Sequence, residues 1–160
     1  MKLLKKITIL LCFLSLIAFV SCSAEDKSGV KEKDNAEEGN FYPPFGDYKD
    51  RKIGSSTSGG EDLGITKVSK VSENTTKIKG YAANSDDGGA KRFDFNISKW
   101  KKTIKDGKDI KSEAVNIVVE PGYDLTDISI VYYYDSSTLE ITFKSVNSGK
   151  DFLFKGTKQP

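Results

Sequence analysis

Six lysines lie close together between residues 99 and 111, and they are the densest set of ligand-binding candidates in the sequence. They are Lys99, Lys101, Lys102, Lys105, Lys108 and Lys111. With Trp100 they could form a cationic patch that attracts a polyanion such as a sulfated glycan. The competing interpretation is a solvated face around a buried tryptophan, because Asp106, Asp109 and Glu113 dilute the charge.

The sequence contains few of the side chains that most often carry out catalysis. The chain contains no histidine, which removes the commonest general base and the commonest transition-metal ligand. Its cysteines are Cys12 and Cys22; the first is expected to be removed with a signal peptide and the second to be modified. We therefore expect a protein that is not an enzyme, with no catalytic residues and no cofactor.

The glycine-rich loop at 84–89 is a second candidate site. Asn84, Asp86 and Asp87 could supply oxygen ligands to Ca²⁺. The segment lacks the full spacing and the closing glutamate of a calcium loop. A plain turn is the favoured interpretation, and no metal site is predicted.

The N-terminal residues have the pattern of an export signal. Three lysines precede an apolar run of 14 residues, Ile7 to Val20. A helix of that length spans about 21 Å, short of the roughly 30 Å hydrocarbon core of a membrane, so residues 1–21 are expected to be a signal peptide. Cleavage after Ala24 would give plain secretion. Cleavage before Cys22 would leave a lone thiol that no intramolecular disulfide can use.

This junction, with Ser21 before Cys22 and Phe19 at the third position upstream, resembles the lipobox of bacterial lipoproteins. The signal, the acylatable Cys22, the charged segment after it and a body rich in Lys, Asn and Ser together resemble the small surface lipoproteins of Borrelia-type spirochaetes. The resemblance implies a diacylglycerol-modified Cys22 that anchors the chain in the outer membrane. It also implies display to a host, with host proteins or glycans as partners.

Charge and composition limit the rest of the chain. Without the lysines of the signal, 22 basic residues face 23 acidic ones, so nothing favours nucleic-acid binding. Residues 22–40 are too polar to fold and are expected to be a disordered tether. Residues 41–60 combine aromatic residues and Pro43–Pro44 with a Gly/Ser-rich loop. We expect their aromatics to dock on the domain; an exposed recognition strip is the alternative.

Residues 61–160 are predicted to form a β domain because apolar and polar residues alternate. Alternation favours three antiparallel hairpins with the apolar residues on one face. The pairs expected on that face include Ala82–Phe93, Tyr132–Ile141 and Phe143–Phe154. Tyr133 then points to the other face and is a further candidate ligand contact. The segment Ala114–Glu120, which precedes Pro121–Gly122, is expected to be a further and more buried strand.

Residues 98–106 are ambiguous. Ser98 could cap a short helix that places Trp100 and Ile104 on one face, with Gly107 ending it. Alternatively, Asp106–Gly107 makes a hairpin turn, which would set Ile104 against Asp109. We prefer the helix. The predicted fold is therefore mainly β, a small antiparallel sandwich or partly open barrel of six to seven strands with one short helix.

Two functions fit these observations. The first is an outer-membrane, surface-exposed lipoprotein that acts as a binding module for a host protein or glycan. The second is a periplasm-facing envelope lipoprotein with a structural or inhibitory role. Both are non-catalytic.

Acylation of Cys22 has a direct test in the partitioning of the chain between water and detergent. The variant Cys22→Ser is expected to move to the aqueous phase, because two or three acyl chains are needed for firm anchoring. The matched control Cys12→Ser should stay with wild type in the detergent phase. Equal partitioning of Cys22→Ser and wild type would rule out the lipid anchor at this residue.

Overall fold

The computed structural model describes residues 35–53, 57–58, 61–84 and 86–160, and these residues form strands, turns and loops without a helix. The strands are β1 (Asn35–Gly39), β2 (Gly46–Lys49), β3 (Thr57–Ser58), β4 (Glu61–Asp62), β5 (Ile65–Ser72), β6 (Thr75–Asn84), β7 (Ala90–Lys105), β8 (Lys108–Val119), β9 (Leu125–Tyr133), β10 (Thr138–Ser145) and β11 (Asp151–Lys158). The mainly β expectation is confirmed. The predicted signal peptide, Cys22 and the first part of the predicted tether lie outside the described residues.

Nine of these strands form one antiparallel sheet in the order β1-β7-β6-β5-β2-β11-β10-β9-β8. β8 stands last in this order and also pairs with β7, while β11 also pairs with β6. The pairing therefore returns to β7 and surrounds one hydrophobic core. β3 and β4 form a separate two-stranded sheet.

Aromatic side chains from both halves of the sheet fill the core. The rings of Phe93 and Phe95 are stacked with centroids 5.2 Å apart, and those of Phe143 and Phe152 are stacked at 5.5 Å. Phe93 meets Phe143 edge to face at 5.7 Å, which joins the two stacks. Such pairs add about 0.5–1.5 kcal/mol each beyond the burial of their area.

The predicted helix at 98–106 is wrong, because these residues continue β7 and the turn after it. Asp106 and Gly107 both have positive φ, 52° and 72°, as a tight hairpin turn requires. The pairing of Ile104 with Asp109 that the sequence disfavoured does occur. Ile104 is also paired on its other side with β1, which half-buries it.

A bulge explains why the alternation is interrupted at this point of β7. Ile97 pairs with Ile117 and Lys99 pairs with Asn116, so Ser98 is an extra residue. One extra residue reverses which side chains point inward. Trp100 therefore joins the core with 1% of its surface exposed, where strict alternation would have turned it outward.

The domain begins earlier than the expected boundary at residue 61. β1, which was expected to be disordered tether, pairs with β7 from Asn35–Ile104 to Gly39–Trp100. β2 pairs with β5 and β11, and its Tyr48 is fully buried with the hydroxyl donating to the Pro44 carbonyl at 2.8 Å. Tyr48 thus belongs to the domain core.

The expected strand pairs lie on the expected face but in a different register. The observed pairs are Gly80–Phe93, Tyr132–Leu139 and Phe143–Phe152, each two positions from the expected partner. A shift of two residues keeps every side chain on its face. The expectation that Ala114–Val119 is buried is wrong, since Val115 and Val118 are 50% and 56% exposed.

Gly80 allows β5 and β6 to approach closely. A Cβ at this position would lie 2.2 Å from Oγ1 and 2.9 Å from Cα of Thr66. The second contact involves backbone, so a rotamer change of Thr66 cannot relieve it. The absence of a side chain at residue 80 is therefore required for the packing of these two strands.

Replacing Gly80 with alanine is expected to lower the free energy of unfolding by about 1–3 kcal/mol, the usual cost of overpacking. The control Gly89→Ala has an ordinary φ, and its Cβ would meet only the end of the exposed Asp87 side chain, at 3.1 Å. It should change stability by no more than about 0.5 kcal/mol. Urea denaturation measures both, and equal effects would contradict this account of Gly80.

Candidate functional site

The β7–β8 hairpin divides the predicted lysine cluster between two faces. Lys102 lies on the face of Trp100, and its side chain is only 14% exposed. Lys101 and Lys105 follow the opposite alternation and are exposed. Lys108 is paired with Lys105 at the end of the hairpin. The six lysines therefore do not form one continuous patch.

Carboxylates of the same domain neutralise two of the remaining cations. Lys99 makes an ion pair with Glu38 of β1, and Lys111 pairs with Glu113 at 3.1 Å. The hydrogen bond from Lys99, helped by its charge, lowers the pKa of the Glu38 carboxyl. Glu38, which falls in the predicted tether, thus pairs with one of the lysines considered as ligand contacts.

Lys102 is held from several directions. Its ammonium lies 3.2 Å from Asp109 and 3.8 Å from Glu37, and 4.4 Å from the centroid of the Phe41 ring. The hydrogen bond with Asp109 is the main cause of a raised pKa for Lys102. These contacts connect β1, Phe41 and the β7–β8 hairpin, so Lys102 has a structural role.

Tyr133 does meet one residue of the predicted cluster. It is half-buried and lies directly opposite Lys111 on β8 and opposite Thr138 on β10. Lys111 is already paired with Glu113. The structure therefore brings Tyr133 and Lys111 together, but without a free charge for a ligand.

The loop considered for calcium is built as a turn. Oδ1 of Asn84 accepts hydrogen bonds from the amides of Asp86 and Asp87 at 2.9 and 3.1 Å, and the Asp87 carboxylate pairs with Lys150. Among the described residues there is no group of three His, Cys, Asp or Glu side chains that could hold a metal ion. The same residues contain no helix of the length and apolarity that would cross a membrane.

The edge of β8 is a surface that the sequence analysis missed. β8 pairs with β9 only through Lys111–Glu113, so in the described part of the chain Ala114–Val119 has a strand partner on one side alone. Val115 is the extra residue of a bulge, and the regular edge is Asn116–Val119. The signal in the sequence is the uncharged run before Glu120 in a chain with 30% charged residues, and the same run also fits a buried strand.

Comparisons with known proteins do not assign a family. No family model matches the chain, and neither a curated protein nor a solved structure shows significant similarity to it. The function must therefore be argued from the surfaces of the domain itself.

Lys102 can be distinguished from the exposed lysines by its effect on stability. Lys102→Met is expected to lower the Tm, because it removes the ion pair with Asp109 and the cation above Phe41. Lys101→Met, a change of the same chemistry on the opposite face, should leave the Tm close to wild type. Thermal unfolding followed by circular dichroism compares them, and a Lys102→Met protein as stable as Lys101→Met would contradict the structural role.

Proposed function

We propose that the chain is a lipid-anchored outer-membrane lipoprotein whose β domain is a non-catalytic binding module for a host protein at the cell surface. Cys22 supplies the anchor in this proposal, on the basis of the junction that resembles a lipobox. The exposed, uncharged edge of β8 is the observation that carries the binding role.

In this proposal the sheet is a partly open barrel. β8 and β9 pair at Lys111–Glu113 and are not paired with each other along Asn116–Val119 and Leu125–Ile130. Backbone N–H and C=O groups on such edges are templates for another strand. The opening is therefore the place where an extended segment of a partner would add to the sheet.

The residues along the edge indicate what kind of partner would fit it. Lysine and proline are among the residues that protect edge strands from pairing, and Asn116–Val119 contains neither. Val115 and Val118 expose apolar side chains beside the edge. Such a surface suits an extended, apolar segment of a protein, with hydrogen bonds giving affinity and side-chain contacts giving specificity.

The lysine cluster supports a sulfated-glycan partner less well. Lys99, Lys102 and Lys111 are each paired with a carboxylate of the domain. A polyanion would have to displace these partners before it gained their charge. The host protein is accordingly the preferred partner for this side of the domain.

Val118→Lys is expected to weaken binding to the partner at least about tenfold, because it places a charge in an apolar contact. Val71→Lys is the matched control, since Val71 is 58% exposed on β5. Purified serum and extracellular-matrix proteins, each on a biosensor surface, are the probes. If no probe binds, if both variants bind alike, or if the edge pairs only with a second copy of this chain in sedimentation, the host-protein proposal fails.

The expected location at the cell surface can be tested separately. The same test distinguishes a surface-exposed protein from the periplasm-facing alternative. Protease is added to intact and to lysed cells that produce the protein, and an antibody to the β domain follows its loss. Digestion in intact cells is the expected result. Protection until lysis would instead favour an envelope role in the periplasm.

A further inference from the structure

A surface cavity of about 270 Å³ lies on the outer side of the sheet, away from the β7–β8 hairpin end. It opens where β5 stops pairing with β6. That pairing ends at Lys67–Lys79, whereas β2 pairs with β5 along the whole of Ile65–Val68. The volume is slightly below the roughly 300–1,000 Å³ of small-molecule pockets, so the cavity suits one small ligand or one ring of a larger one.

Two lysines lie side by side in the lining of this cavity. Lys67 and Lys79 are directly opposite in the register of β5 and β6, and both are exposed. Like charges in this position destabilise a sheet. Within the described residues neither ammonium makes an ion pair, in contrast to Lys99, Lys102 and Lys111. Asp47 lies opposite Lys67 on β2 and lines the cavity as well, so the lining carries three cations and two carboxylates.

Two carboxylates outside the cavity lining pair with Lys77. Asp94, which lies opposite Lys79 on β7, pairs with Lys77 at 3.3 Å. Lys77 also pairs with Glu120 at 3.0 Å, and Asn96 donates to the same Glu120 oxygen at 2.6 Å. This network keeps two nearby carboxylates from neutralising Lys79.

The rest of the lining adds two kinds of contact. Tyr81 and Ile65 are half-buried and give the cavity an apolar wall. Asp47 and Asp62 line it as well and can accept hydrogen bonds from hydroxyl groups. Arg92 contributes a third cation with a planar array of donors. The two aspartates also repel a densely charged polymer.

The geometry points to a binding site for an anionic sugar that carries one sulfate or carboxylate group. Lys67 and Lys79 bind the anionic group, and Tyr81 covers the apolar face of the ring. Asp47 and Asp62 accept its hydroxyls. A neutral sugar leaves the two lysines unpaired, and a bare anion leaves the apolar wall and the aspartates unused. The site lies apart from the β8 edge and does not depend on the host-protein proposal.

Calorimetric titration of the full chain in detergent tests this site with four probes. Glucose 6-sulfate and glucuronic acid test whether the site prefers a sulfate or a carboxylate. Glucose tests the sugar ring without an anionic group, and inorganic sulfate tests the anionic group without a ring. At least one charged sugar should bind about tenfold or more tightly than glucose and than sulfate. Lys67→Gln and Lys79→Gln should each weaken that binding by about tenfold, since each removes one charge-assisted hydrogen bond.

Lys70→Gln is the matched control, because Lys70 is an exposed lysine on β5 outside the cavity, and it should bind as wild type does. The Tm of Lys67→Gln should be close to that of wild type, because the change removes a like-charge contact with Lys79 and an opposite-charge contact with Asp47. Inorganic sulfate binding as tightly as the sugars would reduce the site to a simple anion site. Absence of sugar binding, or binding that survives both Gln changes, would overturn the proposal.

Discussion

The bulge in β7 is the constraint on which the rest of the structure depends. β7 pairs with β6 through Ala90–Ile97, with β8 through Phe95–Lys105 and with β1 through Trp100–Ile104. One strand can serve three neighbours only if its inward side chains stay inward along its whole length. The extra residue Ser98 resets the alternation between Ile97 and Trp100, and the large indole then fills the core where β1 and β8 lie on either side of β7.

The distribution of charge follows from this arrangement. By placing β1 beside β7, the sheet brings Glu37 and Glu38 to Lys102 and Lys99, and the lysines of the hairpin become part of the framework. The like-charged pair Lys67–Lys79 makes no ion pair in the described part of the chain, although Asp47 lies opposite Lys67 on β2. A dense run of lysines in the sequence and an available positive field on the surface are therefore different properties of this protein.

Comparison of the expected and observed strand pairs shows which features of the sheet the alternation of apolar and polar residues can predict. Phe143 was expected opposite Phe154 and lies opposite Phe152, and Phe93 lies opposite Gly80 where Ala82 was expected. The faces are right because the side-chain period is two, and the registers differ because turn chemistry sets them. In the β6–β7 turn the Asn84 side chain holds the amides of the next residues, which fixes the length of the loop.

The sequence by itself determined the β class, the inward face of the central strands and the export signal as an expectation, because these depend on local alternation and composition. Only the tertiary structure decided that residues 98–105 are a strand, that Asn116–Val119 is an exposed edge and that Lys67 faces Lys79. A helix and a bulged strand both place Trp100 and Ile104 on one side, and an uncharged run is equally compatible with burial and with an open edge. Contacts between residues far apart in the chain, such as β1 with β7, resolve these alternatives.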